Sequence, residues 1–287
     1  MRQHLTGVDH VVVATPDLAR AARQYADLGF QLMPRGVHTV GSENHCIMFG
    51  GGDYFELFGV PASAHVAPAF NQFLAHGPGL VSAVLSTDDA LMAQEELARD
   101  SLPSGELRKF SRQVNLAGVS GTARFRTLDI PAQLTPGLHV FCCQHYTREL
   151  VWTPGSDVHP NGVQGIDSIL LCSADPKQTI DAYARLLDCV VRKKEGLYQI
   201  KNQGAAICVG SPARLNNLYP GIASAPAHPL PCGVGVCFRV ADLAETEQTL
   251  LSSRVEFVKP GNGVIHVAAA CAEGVSVLFV AAGHALA

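Results

Sequence analysis

The chain has 287 residues, 47% of them hydrophobic and 16% charged, which is enough apolar material for two cored domains but includes no run of about 18 apolar residues suited to crossing a bilayer. A formal net charge of -4, a pI near 6.3 and the lack of any dense Lys/Arg cluster argue against a nucleic-acid surface. Nine cysteines, an odd number with no CxxC spacing, read as reduced core thiols, and the amino terminus shows no basic-then-apolar leader, so a cytoplasmic protein is expected.

The first predicted strand is 8–14. Strict alternation puts Val8, His10 and Val12 on one face and Asp9, Val11 and Val13 on the other, both largely apolar, so the strand is expected to be covered on both sides. Pro16 and Asp17 open a helix in which Leu18, Ala21, Ala22, Tyr25 and Leu28 recur at helical spacing, and Gly29 ends it. Three short strands follow at 31–40, 44–49 and 54–60, separated by Gly41 and the glycines at 50–52. The unit is strand, helix, strand, strand, strand.

The unit recurs. Shifted by 158 residues (165 minus 7), the stretch from Gly165 lies over that from Gly7, and Asp17 meets Asp175, Tyr25 meets Tyr183 and Leu28 meets Leu186. Two weaker copies begin near Leu80 and Val234, each with a strand, an acidic turn and an amphipathic helix. In the copy near Leu80, later strands are expected at 106–114, 122–130 and 138–145. The expected fold is therefore α+β: four tandem βαβββ units at about 7–60, 79–146, 165–210 and 232–281, paired into two domains, 1–153 and 163–287. The Pro/Gly-rich segment between Thr153 and Gly162 divides them.

Four tandem units of this kind resemble the vicinal oxygen chelate superfamily of glyoxalase I, bleomycin-resistance proteins, fosfomycin-resistance enzymes and extradiol dioxygenases. Asp9-His10, the GSEN at 41–44 and the YFEL at 54–57 look like the DH, GTxN and YLEL signatures of its glyoxalase-like group. The resemblance implies that paired units form a curved sheet around a cavity and that metal ligands come from first and fourth strands, here His10 and Glu56. The residue chemistry points the same way. An imidazole and a carboxylate on separate strands of a rigid sheet suit zinc, iron, manganese or nickel and leave positions open for substrate. An ionised carboxylate among Tyr54, Phe55, Leu57 and Phe58 is also costly to bury without a cation.

The third ligand is expected on the last strand of the second unit, either His145 or its neighbour Gln144, which face opposite ways; the place matching His10 falls near Val81 or Ser82, neither a good donor. In the carboxy-terminal half Ser168 stands where His10 stands in the first. That half is expected to bind no metal and to buttress the first domain or join two copies in a homodimer, whereas extradiol dioxygenases usually carry their metal in the second domain. Asn44 and His45 are candidates for hydrogen bonding and general-base work in the cavity, and Arg148 and Trp152 for holding an anionic or carbonyl substrate. Glu149, His159 and Asn161 crowd the same stretch. His38, His65, His76, His228, His266 and His284 are expected to be solvent-exposed. The expectation is a divalent-metal enzyme of lyase, isomerase or dioxygenase type, with Glu56 or His45 moving a proton; the alternative is a metal-free binding protein of the bleomycin-resistance type. Its partner is a small oxygenated molecule, not nucleic acid or a membrane.

Overall fold

The computed structural model describes residues 2–38, 41–61, 64, 68–116, 119–224, 226–261 and 263–283. Strand β1 (Val8–Thr15), helix α1 (Leu18–Asp27) and strands β2 (Gly36–Val37), β3 (Glu43–Met48) and β4 (Tyr54–Gly59) make the first unit. A short helix α2 (Pro68–Leu74) leads to β5 (Gly79–Ser86), α3 (Ala90–Arg99), β6 (Leu107–Leu116), β7 (Val119–Ile130) and β8 (His139–His145). The third unit is β9 (Val163–Cys172), α4 (Pro176–Leu187), β10 (Arg192–Lys194), β11 (Leu197–Lys201) and β12 (Ala206–Gly210). Helix α5 (Pro212–Leu218) joins it to β13 (Cys232–Val240), α6 (Leu243–Ser252), β14 (Val264–Val267) and β15 (Ser276–Ala281). The fourth unit lacks a full second strand, because Val258 forms only an isolated bridge to His266. The strand expected over 31–40 shrinks to Gly36–Val37, and positions 39 and 40 lie outside the described residues.

Each pair of units makes one curled sheet, in the order β2-β3-β4-β1-β5-β8-β7-β6 and β10-β11-β12-β9-β13-β15-β14. At each centre the two first strands run antiparallel, and each is flanked by the parallel fourth strand of its own unit. The four acidic turns have one cause. Asp17, Asp89, Asp175 and Asp242 each cap a helix amino terminus by accepting a backbone N–H of the first turn, an arrangement worth about 1 kcal/mol apiece.

Strict alternation fails on the first strands. Val8 pairs with Leu85 and His10 with Val84, so Asp9 is an extra residue in a β-bulge. Val8, Val11 and Val13 therefore share the helix-side core, while Val12 and Ala14 face the concave side. The same irregularity leaves out Val81 opposite Val12–Val13, Asp167 between Ile166 and Ser168, and Val234 between Gly233 and Gly235. All four first strands thus carry a bulge one residue before the position occupied by His10 in the first unit.

Helices α1, α3, α4 and α6 cover the convex faces, and the convex faces of both sheets share one apolar core. Phe238 of the second sheet meets Phe30 at 5.0 Å and Phe55 at 5.5 Å between ring centroids. Burial of such rings stabilises by roughly 2–3 kcal/mol each, which holds the two domains together and leaves their concave faces free to differ. No helix among the described residues is long and apolar enough to cross a membrane.

Candidate metal centre

The concave face of the first sheet encloses a cavity of about 680 Å³. Its floor and walls are built by alternate residues: Asn44 and Cys46 of β3, Tyr54, Glu56 and Phe58 of β4, His10 of β1, and Phe141 and Cys143 of β8. Tyr54 stacks on the His10 ring at 4.1 Å and keeps the imidazole edge-on to the cavity. His10 Nε2 lies 3.8 Å from Glu56 Oε2. The other Glu56 oxygen accepts the Asn44 amide at 2.7 Å.

The bulge at Asp9 determines how His10 is presented. It brings the Asp9 carboxylate beside the imidazole, and Oδ2 lies 2.7 Å from His10 Nδ1 and 3.1 Å from His145 Nε2. Burial opposes the charge on Asp9, but the hydrogen bonds from the two imidazoles outweigh it and hold the carboxyl well below the usual carboxylate range. An ionised carboxylate only accepts, so His10 donates from Nδ1, and the neutral ring that does so presents its Nε2 lone pair towards Glu56. That leaves two electron-rich atoms facing each other across the cavity floor. Among the described residues no Lys or Arg forms an ion pair with Glu56.

A divalent ion fits this arrangement. Bonds of about 2.1 Å to both donors at a near-tetrahedral angle need a separation of roughly 3.4 Å, a few tenths less than observed. A histidine whose second nitrogen is held by a carboxylate is the usual form of a metal-binding imidazole. Asp9, Cys143 and His145 form a neighbouring donor group whose ligand atoms lie within 4.8 Å of one another. There, burial pushes the Cys143 thiol well above its ordinary range, so it is a proton-bearing sulfur and a poor donor.

Several sequence expectations change. The strand register makes Ser82 of β5 the counterpart of His10 and Phe141 of β8 the counterpart of Glu56, because Ser82 pairs with His139 as His10 pairs with Tyr54. Gln144 lies three residues beyond that place. Gln144 is turned away from the cavity: its amide donates to the Asp88 carbonyl and its oxygen accepts from Ala90 N at the start of α3. His145 shares the concave side with Phe141 and Cys143, but its Nε2 meets Asp9 rather than Glu56. His45 points to the opposite face of β3, where Nδ1 meets the Met33 carbonyl, and is therefore not placed as a base.

Asn44 is committed to Glu56. Arg148 lies outside the cavity, with its guanidinium 3.6 Å from the Trp152 ring centroid and a hydrogen bond to the Gly52 carbonyl. Trp152 stands behind the floor, edge-on to Tyr54 and His145. His159 and Asn161 are buried and fix the linker by bonds to Gln31 N, Met48 O and Leu28 O. His266 is buried, contrary to expectation, while His65 and His284 lie outside the described residues. Sequence reasoning also missed Arg112 of β6, which lines the cavity. A single arginine on a strand gives no signal until the curl of the sheet shows which way it faces.

The comparisons agree with this architecture. Residues 8–187 match the family described as glyoxalase-like domain. The chain belongs to the glyoxalase-like family. Within the wider vicinal oxygen chelate superfamily, this glyoxalase-like protein is similar to solved structures across nearly its whole length. A hypothetical protein from Staphylococcus aureus has a TM-score of 0.65 at 12% identity, over 96% of this chain and 98% of the other. A mutant 4-hydroxymandelate synthase from Streptomyces coelicolor has a TM-score of 0.63 at 12% identity, over 99% and 95%. An Mn(II)-bound glyoxalase from Novosphingobium aromaticivorans has a TM-score of 0.55 at 12% identity, over 97% and 82%. At such identities the likeness concerns the fold. No curated protein matches the glyoxalase-like chain.

Proposed function

We propose that the amino-terminal domain is a divalent-metal-dependent enzyme acting on a small oxygenated molecule, with His10 and Glu56 as its protein ligands. The observation that carries this reading is the His10 Nε2 to Glu56 Oε2 approach of 3.8 Å, with the second nitrogen of the imidazole held by a buried carboxylate. The Mn(II)-bound glyoxalase among its structural neighbours makes metal chemistry a natural use of this fold, although the fold alone does not specify it.

When bound, the ion supplies Lewis-acid stabilisation of charge developing on a substrate oxygen. The protein does the rest. Asp9 fixes the His10 ring so that Nε2 would hold the ion, and His145 steadies Asp9 from the far side. Asn44 holds one Glu56 oxygen and so orients the other, Oε2, which would hold the ion or, released from it, accept a substrate proton on the cavity floor. Tyr54, Phe58, Phe125 and Phe141 limit water around it. With one imidazole and one carboxylate converging, the donor set falls short of the two-histidine, one-carboxylate set of oxygen-activating iron. Isomerase or lyase chemistry by proton transfer is therefore preferred to oxygenation.

Elemental analysis of protein purified without chelator tests this reading. About one divalent transition metal per chain is expected, with its loss in a His10→Ala, Glu56→Ala variant that still folds. Metal retained at full stoichiometry in that variant, or no uptake of Mn(II), Zn(II), Fe(II) or Ni(II) by the unaltered protein, overturns it. Ser82 and Phe141 at the other two ligand positions favour a second reading, a metal-free binding protein, which the no-uptake result would support.

A further inference from the structure

The cavity has an unused cation at its rim. Arg112 on the edge strand β6 lines it, half-buried, and its guanidinium makes no hydrogen bond or ion pair among the described residues. Its charge reaches the floor: burial, chiefly, and Glu56 raise the Cys46 thiol, and Arg112 acts against them. Between floor and rim the walls are aromatic, with Phe58, Phe110, Phe125 and Phe141, and Phe110 stacks on Phe125 at 4.7 Å beside Arg112. Lys109, Arg124 and Arg126 of the same hairpin alternate with Phe110, Arg112 and Phe125 and so face away from the cavity, which leaves Arg112 as the one Lys or Arg among its lining residues.

We propose that Arg112 anchors a carboxylate of the substrate, so that the cavity takes an amphipathic monoanion: an apolar, aryl-bearing body with one carboxylate at the rim and its oxygenated, reacting end at His10 and Glu56. This assignment rests on the function proposed above for where the reaction occurs, but not for the anion. A lone planar guanidinium matches a carboxylate in a two-point contact. A phosphate dianion would call for further donors, and the cavity offers neither a second cation nor a glycine-rich loop at a helix start. A cavity of about 680 Å³ suits a ligand of drug-like size, larger than a three-carbon acid.

The test is calorimetric titration of the purified protein with 4-phenylbutanoate and, for comparison, the neutral 4-phenylbutan-1-ol, with and without added Mn(II). The acid is expected to bind about 10-fold tighter than the alcohol, as a charge-assisted pair should. In Arg112→Gln the preference should fall below about 2-fold, and in Arg112→Lys it should be partly kept. Arg112 is a half-buried edge-strand residue, so the variants should fold, which circular dichroism checks. Equal binding of acid and alcohol, a preference surviving in Arg112→Gln, or no binding of the acid overturns the proposal. A His10→Ala, Glu56→Ala variant separates the two readings: an acid preference persisting there without metal supports the role of Arg112 whatever becomes of the metal.

Discussion

The two domains are the same scaffold with opposite interiors. In the first, the concave face is an open cavity with His10 and Glu56 side by side on its floor. In the second, the register puts Ser168, Cys208, Gly235 and Leu278 at the four corresponding places. That face is filled by an apolar cluster in which Tyr219 and Ile222 from the segment after β12 lie over Leu170, Cys208, Cys237 and Leu278. An added Cβ at Gly235 would stand 3.2 Å from Ile222 Cδ1 and 3.4 Å from Leu278 Cδ1. The strand skeleton, including the bulge before the ligand position in each first strand, therefore sets where ligands can stand, and what the segment after the fourth strand lays over that face decides whether a site exists there.

Transplanting the site breaks the comparison most severely. Ser168→His with Cys208→Glu would force a carboxylate and an imidazole into the filled apolar face; a loss of about 4 kcal/mol or more is expected by urea or thermal denaturation. Removing the plug is next. Tyr219→Ala should cost about 3–5 kcal/mol and open a cavity, whereas Phe141→Ala, on a wall that already faces space, should cost under about 1.5 kcal/mol in the same assay.

Acid should distinguish the domains too. Burial depresses the His266 pKa to about 4, so the folded protein keeps this ring neutral while the unfolded chain takes up a proton below about 6.5. The unfolded state binds more protons in that window, so stability falls as pH drops from about 6.5 towards 4, by on the order of 2–3 kcal/mol at pH 4.5. A His266→Phe variant should lose that dependence, and an unchanged profile would show that the ring is not the cause. The smallest effect belongs to the open domain. Asp9→Asn should weaken metal binding 10–100-fold (about 1.4–2.7 kcal/mol) while the Arg112-dependent preference for acids is kept; equal metal affinity would deny Asp9 its positioning role.

Much of this was legible in the residues. The 158-residue shift, the acidic turns and the spaced apolar positions identified four units, because helix caps and core periodicity are local and survive divergence. The signatures at Asp9-His10 and at 54–57 singled out the residues that the structure brings together. The misplaced details all came from non-local geometry. Alternation assigned Asp9 to the wrong face because a bulge adds one residue without any compositional sign. The choice between Gln144 and His145 turned on the register of the second unit's last strand, and only its pairing with β5 shows that Phe141 is the counterpart of Glu56. His45 was one residue out of phase with the cavity.

The sequence by itself determined the repeat, the fold class and the contrast between a polar first unit and an apolar third one, since these depend on residue type and spacing. Only the tertiary structure decided that Asp9 links two histidines, that Asn44 serves Glu56 and that Arg112 overlooks the cavity. Those are relations between strands far apart in the chain, set by bulges and by the curl of the sheet, and no local pattern of residues encodes them.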